Sequence, residues 1–104
     1  MNYIVQTQED DMHTTTVTFV SDPSHGWGLV TKHQLAHARM TENDISKFSY
    51  CTPNREIYAL EEDVDLPKFI HKLESMGDKV EIVDNPPFDE NHRDNPRRWD
   101  YVHP

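Results

Sequence analysis

Asp65-Leu66-Pro67-Lys68-Phe69-Ile70-His71-Lys72-Leu73-Glu74-Ser75-Met76-Gly77 is the stretch whose reading decides the fold. Leu66, Phe69, Ile70, Leu73 and Met76 recur at the three- and four-residue spacing that places side chains on one face of a helix. Asp65 is positioned to cap this helix, Pro67 lies in its first turn, where a missing N–H costs least, and Gly77 stands where it must end. A helix with one apolar stripe is stable only when that stripe is covered, so the flanking segments are expected to supply a sheet.

Those flanks read as strands. Lys79 to Val83 alternates charged and apolar residues, predicting a strand with Val80 and Ile82 inward. Upstream, Phe48-Ser49-Tyr50-Cys51 and Glu56-Ile57-Tyr58-Ala59-Leu60 are strand-like runs joined by Thr52-Pro53-Asn54-Arg55, the length and composition of a hairpin loop. Further back, Thr31-Lys32-His33-Gln34 has the form of a capping box and predicts a helix to about Met40; Thr41-Glu42-Asn43-Asp44 repeats the pattern and predicts one more turn ending near Ser46. Trp27-Gly28-Leu29-Val30 is a short strand with Trp27 directed to the edge of the core, preceded by the turn Ser21 to Gly26. In the run Thr14 to Val20, Thr15, Val17 and Phe19 share one face, and Thr14, Thr16 and Thr18 share the other, solvated face. Tyr3-Ile4-Val5 is expected to pair with that run across the loop Glu9-Asp10-Asp11. The fold class is therefore α+β: a small, mostly antiparallel sheet with one main and one shorter helix packed on one face, in the order β-β-β-α-β-β-α-β. The domain spans residues 1–84, and residues 85–104 form a polar, flexible tail.

Composition bounds what such a domain does. The chain has 104 residues, 35% of them hydrophobic, and a mean hydropathy of -0.86, which suits one modest core with much polar surface. No run approaches the roughly eighteen apolar residues needed to cross a bilayer, and Met1 to Glu9 lacks the pattern of a signal peptide, so a cytoplasmic protein with no membrane contact is expected. Nineteen acidic against ten basic side chains give a formal charge of -9, concentrated before Asn85, and this disfavours direct binding to nucleic acid. Cys51 is the single cysteine and has no disulfide partner within the chain.

No complete catalytic constellation is present, and no cofactor is called for. His33 and His37 share a helix face and supply two metal ligands, but Gln34 stands where the zinc-protease pattern has its glutamate, and a third ligand from His25, His71 or a carboxylate is not specified by spacing. Solvated histidines are the simpler reading, with no metal. Walker, G-x-G-x-x-G and G-x-S-x-G motifs are absent. Glu61-Glu62-Asp63, followed by Asp65, is the densest acidic cluster and sits at a strand-to-helix junction, where carboxylates serve either structure or a partner. Arg97, Arg98, Trp99 and Tyr101 combine the residue types enriched at binding hot spots. Their alternative is docking onto their own acidic domain. Glu61, Glu62, Asp63, Arg97, Arg98, Trp99 and Tyr101 are therefore the candidate partner-binding residues.

Asp22-Pro23-Ser24-His25-Gly26-Trp27 leading into a strand and helix, the aromatic strand Phe48-Ser49-Tyr50, and Tyr58-Ala59-Leu60 ending in Glu61-Glu62-Asp63 resemble a group of small uncharacterised proteins encoded by bacteriophages and bacterial mobile elements. The likeness spans about Asp22 to Asp84. It implies a phage-type origin and transfers no catalytic residue. Small phage proteins without an active site commonly bind, block or redirect host machinery, so the expected function is noncatalytic binding of a host protein in the bacterial cytoplasm, modulating or inhibiting a defence or nucleic-acid enzyme. Carboxylates imitating DNA phosphates are one form of this. The alternatives are a small metal-dependent hydrolase or nuclease using His33 and His37, and a structural accessory protein that pairs its sheet edges as a homodimer.

Overall fold

A computed structural model describes residues 13–104; the expected strand at Tyr3-Ile4-Val5 and the loop Glu9-Asp10-Asp11 lie outside them. The described chain is α+β. Strands β1 (Thr14–Ser21) and β2 (Gly26–Thr31) precede helix α1 (Lys32–His37), a 3-10 turn (Glu42–Asp44), β3 (Tyr50–Cys51) and β4 (Ile57–Glu61). Helix α2 (Asp65–Ser75), β5 (Lys79–Asp84), a second 3-10 turn (Pro96–Arg98) and β6 (Asp100–Tyr101) follow. The six strands form one sheet in the order β5-β1-β2-β4-β3-β6.

The sheet is mixed, where a mostly antiparallel one was expected. β2 runs antiparallel to both β1 and β4, and β3 antiparallel to β4 and β6, but β5 pairs parallel to β1, with Val17 opposite Ile82. Connectivity supplies the reason: a strand leaving through a helix returns as a crossover, and α2 carries the chain from β4 over β2 and β1 to the far edge. At that edge the helix no longer reaches fully across. Val80 is half-buried, and Ile82, expected inward, is 45% exposed.

On the helical face, Leu66, Phe69 and Leu73 of α2 are buried against Val17, Val30, Tyr58 and Leu60 of the strands, joined by Leu35 from α1. Ile70 flanks this core, while Met76 is 37% exposed, so three of the five members of the stripe are fully buried. Close approach of α2 to the sheet requires a glycine: a Cβ on Gly28 would lie 2.5 Å from Leu66 Cδ1 and 3.0 Å from Val17 Cγ1.

The helix ends follow local rules with two departures. Thr31 and Gln34 make the reciprocal capping box, and Thr41 and Asp44 make another. Gly77 ends α2 with φ +86°, its N–H donating to the Glu74 carbonyl while that of Asp78 donates to Leu73. Helix α1 stops at His37 rather than near Met40, because Arg39 takes φ +62° and Met40 N–H turns back to the Leu35 carbonyl, which lets the Met40 side chain enter the core. Asp65 does not cap α2; it is the first helical residue, and its buried carboxylate accepts bonds from Ser46 N (3.0 Å), Ser46 Oγ (2.6 Å) and the Ser49 hydroxyl.

The largest departure concerns residues 85–104. Expected as a flexible tail, this segment packs on the sheet face opposite the helices. Phe88 and Trp99 cover Val20, Trp27 and Ala59, β6 extends the sheet beyond β3, and Val102 reaches into the helix-side core. Polar composition concealed this because the anchors are a few spaced side chains, with buried Asn95 and Pro96 between them, and backbone bonds that composition does not show.

Candidate functional site

The segment is anchored by the turn Asp22 to Trp27. Asp22 Oδ1 accepts the amides of Ser24 and His25, each at 2.9 Å, which shapes the turn. Its Oδ2 accepts Asn95 Nδ2 at 3.1 Å and the Nε–H of Arg97. Asn95, itself fully buried, caps the Pro96–Arg98 turn by accepting the Arg97 amide at 3.0 Å. Burial alone would raise the Asp22 carboxyl, but the Arg97 guanidinium, the Asn95 amide and the two backbone N–H groups outweigh it and hold the group well below the usual carboxylate range. A second clamp holds the chain's end: His103 Nε2 lies 2.7 Å from the Glu42 carbonyl, while the Glu42 carboxylate accepts the Tyr58 hydroxyl (2.5 Å) and Arg55 Nη1 (2.8 Å). Those two donors keep Glu42 ionised below its ordinary range, and burial together with the bond to Glu42 pushes Tyr58 up to about 12.

Between the clamps lies a cleft of about 630 Å³, within the range of ligand-binding pockets. Its floor is aromatic. Trp27 meets Tyr50 edge-on at 6.2 Å, and Tyr50 stacks on Tyr101 at 5.0 Å and 30°. Burial and the neighbouring Tyr101 push the Tyr50 hydroxyl upward. Phe48, Val64 and Tyr101 remain 53%, 45% and 52% exposed, an unusual concentration of apolar surface at one place. Polar groups on the walls come from His25, Lys47, Asp63, Arg97 and His103.

The candidate residues fall into two groups. Asp63 meets Arg97 and Tyr101 in the cleft although the sequence separates it widely from them; Glu61 lines it too, but both its oxygens are engaged, accepting the Asp63 and Val64 amides at 2.8 Å. Glu61 thus holds the entry to α2, the role expected of Asp65. Glu62 is exposed next to the cluster, Arg98 points outward with Nη1 on the Asn91 carbonyl, and Trp99 is half-buried beneath Trp27 as part of the docked segment. Sequence reasoning missed Asp22, Asn95, Phe48 and Tyr50 as parts of one site. The usable signal was Asn95-Pro96 immediately before two arginines in an acidic chain, a capped turn presenting cations to a carboxylate elsewhere.

Among the described residues, His33 and His37 are not brought together with a carboxylate cluster. His37 Nε2 is 2.6 Å from Asp78 Oδ2 and its ring lies against His13, whereas His33 is exposed; no group of three or more His, Cys, Asp or Glu converges among the described residues. Cys51 is buried, and that burial raises its thiol, the opposite of an activated nucleophile. No described helix is long and apolar enough to cross a membrane.

Compared with protein-family models, with curated proteins and with solved structures, the chain has no significant match.

Proposed function

We propose that this chain is a noncatalytic interaction protein of the phage type, which binds a host protein through the cleft over Trp27, Tyr50 and Tyr101 and thereby modulates or inhibits it. The observation that carries this reading is the cleft itself. The acidic turn and the C-terminal aromatic segment, more than thirty residues apart in the chain, converge on one exposed apolar surface with a polar rim, the anatomy of a binding hot spot. Imitation of DNA is a weaker form of the proposal, because Asp22, Glu61 and Asp65 are buried and bonded internally, leaving Glu62 and Asp63 as the solvent-facing carboxylates of the main cluster.

The test is affinity capture from host lysate with the intact chain, Tyr101→Ala, Phe48→Ala and the double variant Glu62→Gln, Asp63→Asn. A defined protein lost with Tyr101→Ala and Phe48→Ala supports the cleft. Loss only with the acidic pair supports the charge-based form. Capture indifferent to all of them contradicts the proposal.

A second reading, self-association, is favoured by one feature: β5 is an edge strand with Ile82 and Val83 45% and 48% exposed, and among the described residues no strand pairs with its outer side. Light scattering across a concentration series separates the readings, since a dimer disrupted by Ile82→Lys belongs to the edge and not to the cleft.

A further inference from the structure

Arg97 is held in an uncommon way. Its Nε–H donates to Asp22, whose side chain is 0% exposed, while the Arg97 side chain is 35% exposed and its two Nη groups make no hydrogen bond among the described residues. The guanidinium carbon lies 5.8 Å from the Trp27 ring centroid. The side chain is thus fixed from behind by a buried carboxylate and flanked by an indole, with its terminal donors left over at the wall of the cleft. A planar fork whose orientation is set before binding is suited to a carboxylate, since two parallel N–H···O bonds form without ordering a flexible chain.

We propose, resting on the cleft reading above, that the cleft captures the C-terminal carboxylate of a partner polypeptide ending in an aromatic residue, with the Arg97 Nη groups holding the carboxylate and the face of Tyr101 together with Phe48 receiving the ring. Three observations select this occupant. Above the floor of Trp27 and Tyr50, Tyr101 and Phe48 offer exposed ring surface for a further edge-on or stacked ring. Charge favours a single anion over a double one: Arg97 and Lys47 are the cations on the walls, the Glu61 oxygens are taken by backbone amides, and a chain of charge -9 opposes a doubly charged phosphate. Finally, the Nε edge of Arg97 is taken by the buried Asp22 carboxylate, so the Nη edge is the one left to meet a ligand. Asp63, whose carboxylate has no partner among the described residues, opposes the anion together with the charge of Glu61, and it suits a cationic residue further back in the bound peptide.

The inference is tested with three probes titrated into the full chain by NMR: N-acetyl-tryptophan, N-acetyl-tryptophanamide, and N-acetyl-aspartyl-tryptophanamide, which carries its carboxylate on a side chain. The free acid is expected to bind about tenfold more tightly than the amide, the difference a charge-assisted pair of hydrogen bonds supplies. Arg97→Lys keeps a cation against Asp22 but removes the fork; it should reduce the acid to the affinity of the amide, whereas Tyr101→Ala should weaken both probes alike. Equal binding of acid and amide overturns the proposal, as does an acid preference that survives Arg97→Lys, or aspartyl-tryptophanamide matching the free acid. The acid-amide comparison in the unaltered chain needs no variant to fold. Equal binding that still depends on Tyr101 leaves the cleft standing as a docking site and removes only the carboxylate. If no probe binds, the carboxylate proposal fails, and the cleft is judged by the capture experiment.

Discussion

Asp22 shows how one carboxylate decides the shape of a surface. Fully buried, it is tolerable only because Arg97, Asn95 and two backbone amides take its oxygens, and those same bonds hold residues 95–97 against the turn. Asp22→Asn removes the charge and leaves Arg97 facing a neutral amide; a loss of about 3 kcal/mol at pH 7 is expected by urea denaturation, in the range for breaking a buried pair. The pH dependence follows from the direction of the shift. A carboxyl held lower in the folded state than in the unfolded chain contributes its full stabilisation above about pH 4 and loses it as the pH falls below that. The advantage of the unaltered chain over Asp22→Asn should therefore narrow between pH 5 and pH 2, and a constant gap would show that the carboxylate charge is not what matters. Gly28 tests the packing of α2 independently. Gly28→Ala places a methyl within 2.5 Å of Leu66 and should cost about 1–3 kcal/mol, although alanine ordinarily suits a strand better than glycine.

At the scale of the element, the docked segment behaves as part of the fold. Deleting residues 86–104 uncovers Val20, Trp27 and Ala59 and removes both β6 and Val102; thermal unfolding should then occur at a markedly lower temperature, whereas an unattached tail would leave it unchanged. The elements differ in how readable they were. Capping boxes at Thr31 and Thr41, the stripe from Leu66 to Leu73 and the glycine stop at Gly77 were legible because each is decided within one or two turns of chain. The end of α1 was not, since a left-handed conformation at Arg39 is chosen by the burial of Met40, a tertiary effect. The parallel pairing of β5 depends on where α2 delivers the chain, and the exposure of Ile82 follows from its place at the edge. Within the site, Tyr101 and the acidic cluster stood out by composition, while Asp22, Asn95 and Tyr50 acquire their roles only when segments far apart in the chain meet.

The whole molecule is a three-layered body over part of its sheet: helices on one face, the C-terminal segment on the other, and the cleft where that segment meets the Asp22 and Glu61 turns. Its excess negative charge is spread over a surface from which several carboxylates have been withdrawn into structural bonds, which is why the proposed recognition is placed in the aromatic cleft rather than in acidity alone. All of this requires residues 85–104 to be docked in solution. Amide hydrogen exchange measures it directly. The Phe88 amide, which donates to the Ser21 carbonyl at 2.7 Å, and the Trp99 amide, which donates to Pro96 at 2.9 Å within the capped turn, should be protected well beyond random-coil rates, as are those of β4. Exchange of both at random-coil rates while β4 stays protected would mean that the segment is detached, and the cleft with it.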